Sequence, residues 1–241
     1  RALFLSRRPL PPMLLDLALT GISLLPIGLR AQTLGVLSSV LSPACLAQPA
    51  WWLCVSGVAL LYGMHGLIWN FPERFMRVSR ALPLSLLGPT PWKVFAKLEL
   101  LGKVWQVGCV ALFLGASGRA AAMAALGATP APIWALAASY IAAGQALNVA
   151  MYTSIGDAGV YYGFKLGIEV PWCHGFPFNV GLRHPQYVGV VLTLWGGLAL
   201  LLSAGTAAVA LPQVVLAWGA MYVLMAVMEQ ANDNDAGDKS R

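Results

Sequence analysis

The sequence predicts an all-α integral membrane protein of about six transmembrane helices, with a glycine- and aromatic-rich loop before the last helical hairpin. Three observations carry that expectation. First, 59% of the 241 residues are hydrophobic and only 10% are charged, and the mean hydropathy is +0.71. Soluble domains are about a quarter charged, so this chain cannot cover a water-facing surface with polar groups, and a composition so apolar also excludes disorder. Second, apolar runs near the roughly 20 residues needed to cross a bilayer core of about 30 Å recur along the chain. Third, the basic residues fall on one side of those runs.

The runs occupy approximately 13–29, 50–70, 100–118, 133–153, 187–204 and 208–228. The first contains Asp16 and Pro26 and is the weakest; the last carries Pro212 in its first turn, where the missing N–H has no helical partner anyway. Leucine and alanine dominate without period-two alternation, which argues for helices over strands. With all six spanning, thirteen Lys and Arg lie on the N-terminal side and two, Arg30 and Arg119, on the other. Such asymmetry is the positive-inside signal, so the N-terminal side faces the cytosol or a topological equivalent such as a mitochondrial matrix. The net charge of +6 then reports topology and attraction to anionic headgroups, and nothing in it calls for nucleic acid. Arg1, Arg7 and Arg8 precede any acid, which suits either the remainder of an organellar presequence or a basic surface segment.

The organisation expected is a basic segment over 1–12, helices and a basic loop over 13–129, a core over 130–230 and a polar, frayed tail over 231–241. The small-residue stretch 119–132 reads as a turn region. Cys45, Cys54, Cys109 and Cys173 form no CxxC pair, so neither a disulfide framework nor a metal site is indicated. His65, in the apolar run LLYGMHGLIWN, is expected to hydrogen-bond within the bundle, with Gly63 and Gly66 allowing close helix packing.

Chemistry concentrates between Gly156 and Tyr187, GDAGVYYGFKLGIEVPWCHGFPFNVGLRHPQY. A bare connection needs only a few residues, and glycines permit close backbone approach to a ligand. Tyr161, Tyr162, Trp172 and Tyr187 have faces that attract a methylated ammonium; aromatics at this height also form the ordinary interfacial belt, the better reading for each except Tyr187. Arg183 offers a fork for carboxylate or phosphate, or simply anchors the loop. An imidazole can accept a proton in general acid–base chemistry; His184, standing before Pro185, is read as a binding and turn residue ahead of a base. Glu229, at the end of the last helix, is an acid at membrane depth and a functional candidate by default, the alternative being a helix-end charge at the interface.

The loop glycines, FPFN at Phe176 to Asn179, RHPQYVG at Arg183 to Gly189, and Glu229 together resemble the membrane phospholipid N-methyltransferase family over roughly 135–230. RHPxYxG alone also resembles the isoprenylcysteine carboxyl methyltransferases; the glycines and FPFN choose the former. The resemblance implies transfer of a methyl group from S-adenosylmethionine to the amine of a phosphatidylethanolamine-type phospholipid, in phosphatidylcholine synthesis. It implies a cofactor site at Ala142, Gly144, Gly156, Gly159, Gly163, Arg183, His184, Glu229 and Gln230. Catalytic roles would fall to His184 and Tyr187, and lipid contacts to Tyr161, Tyr162, Trp172 and Asn179. Ala142 and Gln230 replace a glycine and a glutamate of the family's pattern. An alternative is therefore a methyltransferase-like structural or lipid-binding subunit of a larger membrane complex. The membrane would be the endoplasmic reticulum or the mitochondrial inner membrane, with the loop on the cytosolic or matrix side.

Overall fold

A computed structural model describes residues 46–47, 49–171, 173–182 and 184–238. The expected span 13–29, and with it the segment 1–12, lies outside the described residues. Those described form helices α1 (Pro49–Asn70), α2 (Pro72–Ser79), α3 (Pro91–Phe113), α4 (Arg119–Ala128), α5 (Ala131–Val160), α6 (Pro185–Leu201), α7 (Ala204–Ala208) and α8 (Leu211–Asp238), with no strand among them. Proline stands in the first turn of each of the five longest described helices, at Pro49, Pro91, Pro132, Pro185 and Pro212, and of the short α2, at Pro72. There its fixed φ favours the helix and no hydrogen bond is lost.

Three of these helices, over Trp51–Asn70, Ala131–Val160 and Leu211–Glu229, are long and apolar enough to cross a membrane, and Pro185–Leu201 is a shorter apolar helix. α3 is also long, but it carries Lys93, Lys97, Glu99 and Lys103. Large apolar side chains face outward, as lipid allows: Trp105, Leu112, Val149 and Val227 are all more than half exposed.

The structure departs from the sequence reading at three places. The stretch read as a turn at 119–132 is largely helix α4, because its alanines are the best helix formers; a single π-helical turn over Leu114–Gly118 joins it to α3. The polar tail is helical as far as Asp238. Gly63 meets nothing within 4 Å and Gly66 only the Met228 sulfur at 3.7 Å, so the tight contact on α1 lies instead at Gly57, where an added Cβ would stand 3.3 Å from the Gln106 backbone.

The closest helix pair is α5 with α6. A Cβ on Gly144 would run into the Gly189 carbonyl and lie 2.5 Å from Thr193 Oγ1; one on Gly189 would lie 2.6 Å from Gly144 O, and one on Gly196 2.7 Å from Ala137 O. Without a hydrophobic force between helices in lipid, such backbone-to-backbone packing of small residues is what holds them. Gln145 Nε2 adds a bond of 2.9 Å to Thr193 Oγ1 across the pair. α8 packs against both α1 and α6, so the C-terminal half of the last helix meets the start of α6 and the end of α1 at one end of the bundle.

Gly144→Ala is expected to lower the thermal midpoint in detergent by an amount equivalent to about 1–3 kcal/mol, the usual penalty for overpacking. Gly127→Ala, where nothing lies within 4 Å, should be neutral or stabilise by up to about 1 kcal/mol through helix propensity. Equal melting of the two variants would contradict the α5–α6 contact described.

Candidate active site

The site begins with the way α5 ends. Gly156 takes φ 66 and ψ 175, a kink inside the helix that needs glycine. The chain then closes with Tyr162 N donating to Gly159 O at 3.4 Å and Gly163 N donating to Ala158 O at 2.6 Å. These are the two bonds of a Schellman cap, whose left-handed position is normally glycine. Here that position is Tyr162, at φ 57, a backbone state costing a side-chain-bearing residue about 1–3 kcal/mol. The surroundings over-determine it. The ring stacks on Phe95 at 5.6 Å and meets His65 and Trp69 edge-on at 5.4 and 5.7 Å. Gly163 is required next to it, since a Cβ there would stand 2.6 Å from Ala158 O.

From that position the Tyr162 hydroxyl donates to Glu229 Oε1 at 2.5 Å and lies 2.5 Å from the Tyr187 hydroxyl. Tyr187, in the first turn of α6, also donates to Glu229 Oε1. His184, at the N-terminal boundary of α6, places Nδ1 3.3 Å from Glu229 Oε2, and its ring lies parallel to that of Tyr187 at 5.6 Å and 14°. Glu229, Tyr162 and Tyr187 are all buried, while the His184 side chain keeps 19% of its surface and is the one member open to the outside. Burial first, and then the neighbouring Glu229 carboxylate, push the Tyr162 phenol well above its usual range. It therefore stays a neutral donor at physiological pH. A carboxylate has about four acceptor positions; the two phenols take two of them, both on Oε1, and Oε2 faces His184 Nδ1.

The residues singled out from the sequence divide accordingly. His184, Tyr187, Glu229 and Tyr162 converge. Tyr161 turns the other way, its hydroxyl 2.9 Å from that of Tyr152. Gly144 is buried in the α5–α6 contact, Ala142 is exposed on the same helix, and Gly156, Gly159 and Gly163 shape the end of α5. Asn179 is exposed on the loop. Trp172 and Arg183 lie outside the described residues, as does the side chain of Gln230. Two buried polar residues were passed over in the sequence: Glu99, with Oε1 3.1 Å from His65 Nδ1, and Gln106. The available signal was an acid inside a long helix with Lys103 four residues on. His65 Nδ1 also lies 2.9 Å from Leu61 O, a bond within its own helix.

Tyr162→Phe removes one donor from a buried carboxylate, a hydrogen bond of the charged class worth about 1.5–3 kcal/mol, and should lower the thermal midpoint correspondingly. The raised Tyr162 pKa fixes the pH dependence. Its contribution is fully present below the unfolded value of 10.0 and is lost as pH climbs through the folded one. The gap between wild type and Tyr162→Phe should thus be flat at neutral pH and narrow in alkali; a gap that widens there would contradict the assignment.

Residues 133–231 match the phospholipid methyltransferase family model. A phosphatidyl-N-methylethanolamine N-methyltransferase of Arabidopsis thaliana is 38% identical over 100 residues, which cover 42% of this chain and 55% of that relative. The match thus spans about half the length of the curated relative. No solved structure matches the chain. Residues 133–231 are similar to the phospholipid methyltransferase family, and every member of the Glu229 cluster lies inside that segment.

Proposed function

We propose that the protein transfers a methyl group from S-adenosylmethionine to the amine of a phosphatidylethanolamine-type phospholipid held in its own bilayer. The observation that carries this reading is the buried carboxylate of Glu229, fixed by Tyr162, Tyr187 and His184 within the family segment. S-adenosylmethionine, when bound, supplies an electrophilic methyl on a sulfonium. The residues present fit a cationic guest: Glu229 is an acid, both phenol bonds fall on its Oε1, and its Oε2 faces His184, the cluster member with exposed surface.

Each residue then has a definite task. Glu229 supplies the counter-charge and, pinned on Oε1 by two phenols, cannot swing away from it. His184 borders the open side and orients the guest against Oε2. Tyr187 holds both the carboxylate and the His184 ring, so it couples the start of α6 to the end of α8. Burial of the cluster excludes water and strengthens each of these interactions. Arg183 is assigned to a cofactor carboxylate or lipid phosphate, and the aromatic loop residues to the methylated headgroup. The asymmetry of basic residues supports a cytosolic or matrix side for this end of the bundle.

A second reading keeps the fold without the reaction, as a subunit or lipid-binding module of a larger membrane complex. Ala142 and Gln230 favour it, together with a Glu229 whose partners are mostly internal. Calorimetry of S-adenosylmethionine binding to the detergent-purified protein separates the two. The wild type should bind, and Glu229→Ala should weaken binding by about tenfold or more while eluting as the same folded species. No binding by a well-folded wild type would overturn the methyl-transfer reading and leave the cluster as a structural clasp.

A further inference from the structure

A second polar site lies outside the family segment, between α1, α3 and α8. Glu99 is 4% exposed, and the ion pair with His65 does not satisfy it. The nearest His65 nitrogen, Nδ1, is the one that also faces Leu61 O at 2.9 Å, and Glu99 Oε1 makes no hydrogen bond. Lys103 Nζ stands 3.6 Å from Oε2, on a side chain 40% exposed. Gln106, two turns further along α3, is 1% exposed, and neither its Oε1 nor its Nε2 has a partner. Native structures leave very few buried polar groups in that state without a reason such as an absent ligand.

Glu99, His65 and Gln106 line one cavity with Tyr62, Trp218 and Tyr222, and its free space is about 10 Å³. That is room for a single water-sized group, the size of an ammonium. An ammonium brings the donors that Glu99 Oε1 and Gln106 Oε1 lack, a positive charge beside Glu99, and an affinity for aromatic faces; water brings donors and an acceptor for Gln106 Nε2, but no charge. Lys93 and Lys97 precede Glu99 on α3, and long lysine side chains on an apolar helix carry their ammonium groups toward polar surroundings. The cavity adjoins the Glu229 cluster: Tyr222 lies 5.8 Å from Tyr187 and His65 lies 5.4 Å from Tyr162, ring to ring.

We propose that this cavity is an ammonium-binding site that takes the amine head of the phospholipid, with Glu99 as its counter-ion. The inference rests on the methyl-transfer reading above and deepens it. The reaction brings two cationic partners to one end of the bundle, and the protein provides two separate buried carboxylates, Glu229 for one and Glu99 for the other. The small volume selects an amine bearing few methyl groups over a fully methylated one.

The test is native mass spectrometry of the full chain released from mixed micelles of phosphatidyl-N-methylethanolamine and phosphatidylglycerol with the same acyl chains, alongside S-adenosylmethionine calorimetry. The wild type should retain the amine lipid about tenfold over phosphatidylglycerol, and Glu99→Gln should abolish that preference with cofactor binding unchanged. Gln106→Leu guards against a folding artefact. It replaces two orphaned polar atoms by apolar ones and should raise the thermal midpoint while weakening amine-lipid retention, a combination that a purely structural role would not give. Absence of a preference in the wild type, or a preference that survives both substitutions, overturns the inference, and cofactor binding in the same sample leaves the methyl-transfer reading standing. A Glu99-dependent preference in a protein that binds no cofactor would keep the amine site and overturn methyl transfer.

Discussion

A carboxylate inside an apolar helical bundle is the group the rest of this structure must accommodate. Desolvating an isolated charge costs several kcal/mol even after relaxation, and Glu229 is 5% exposed. Its compensation comes from two places distant from it in sequence: Tyr162 at the end of α5, and His184 with Tyr187 at the start of α6. The hydroxyls of Tyr162 and Tyr187 and the ring of His184 can reach the two carboxylate oxygens only if α5, α6 and α8 end at one height. The glycine contacts between α5 and α6 set that height. Gly144 against Gly189, and Gly196 against Ala137, bring the two backbones close enough for Tyr162 and Tyr187 to share Glu229 Oε1. Small residues that look like generic membrane packing are therefore part of what builds the site.

The same constraint explains the most unusual backbone at the site. A Schellman cap closes at no cost with glycine, and glycine is available one residue later in the sequence. The chain instead puts Tyr162 in the left-handed position and uses Gly163 where the backbone approaches Ala158 O. Strain of this kind persists where the surroundings over-determine it, and here they consist of the Phe95, His65 and Trp69 rings and the Glu229 carboxylate. The side chain is held in place because a buried charge requires its hydroxyl.

Much of the fold was legible because lipid imposes simple rules. Apolar runs located α1 and α6 to within three residues, whereas the run at 100–118 starts nine residues inside α3 and those at 133–153 and 208–228 stop short of the ends of α5 and α8. Helix α4 was missed because small alanines were read as turn formers when their helix propensity is the stronger signal. At the site, His184, Tyr187 and Glu229 could be picked out by motif and by the rarity of acids at membrane depth. Tyr162 was noted for its aromatic face, whereas the structure uses its hydroxyl on Glu229; no local pattern reports a hydrogen bond to a residue 67 positions away. Glu99 was hidden for the opposite reason. Among Lys93, Lys97 and Lys103 it reads as one charge of an interfacial set, and only tertiary packing turns it inward against His65.

The two acids differ in a way that bears on what each can do. Glu229 is held by three side chains and is stiff, so it suits a guest that must be presented in one orientation. Glu99 faces a histidine already engaged with its own helix, a long contact to a half-exposed lysine, and an unpartnered amide. Low dielectric makes a fully satisfied polar cluster rigid and a partly satisfied one costly, so the free protein stores its unpaired polarity at Glu99 rather than at Glu229. A cation entering the cavity relieves that cost, while one reaching Glu229 adds to a network already near completion. The site with the larger unmet demand lies between α1, α3 and α8; the nearly complete one has its exposed surface at His184.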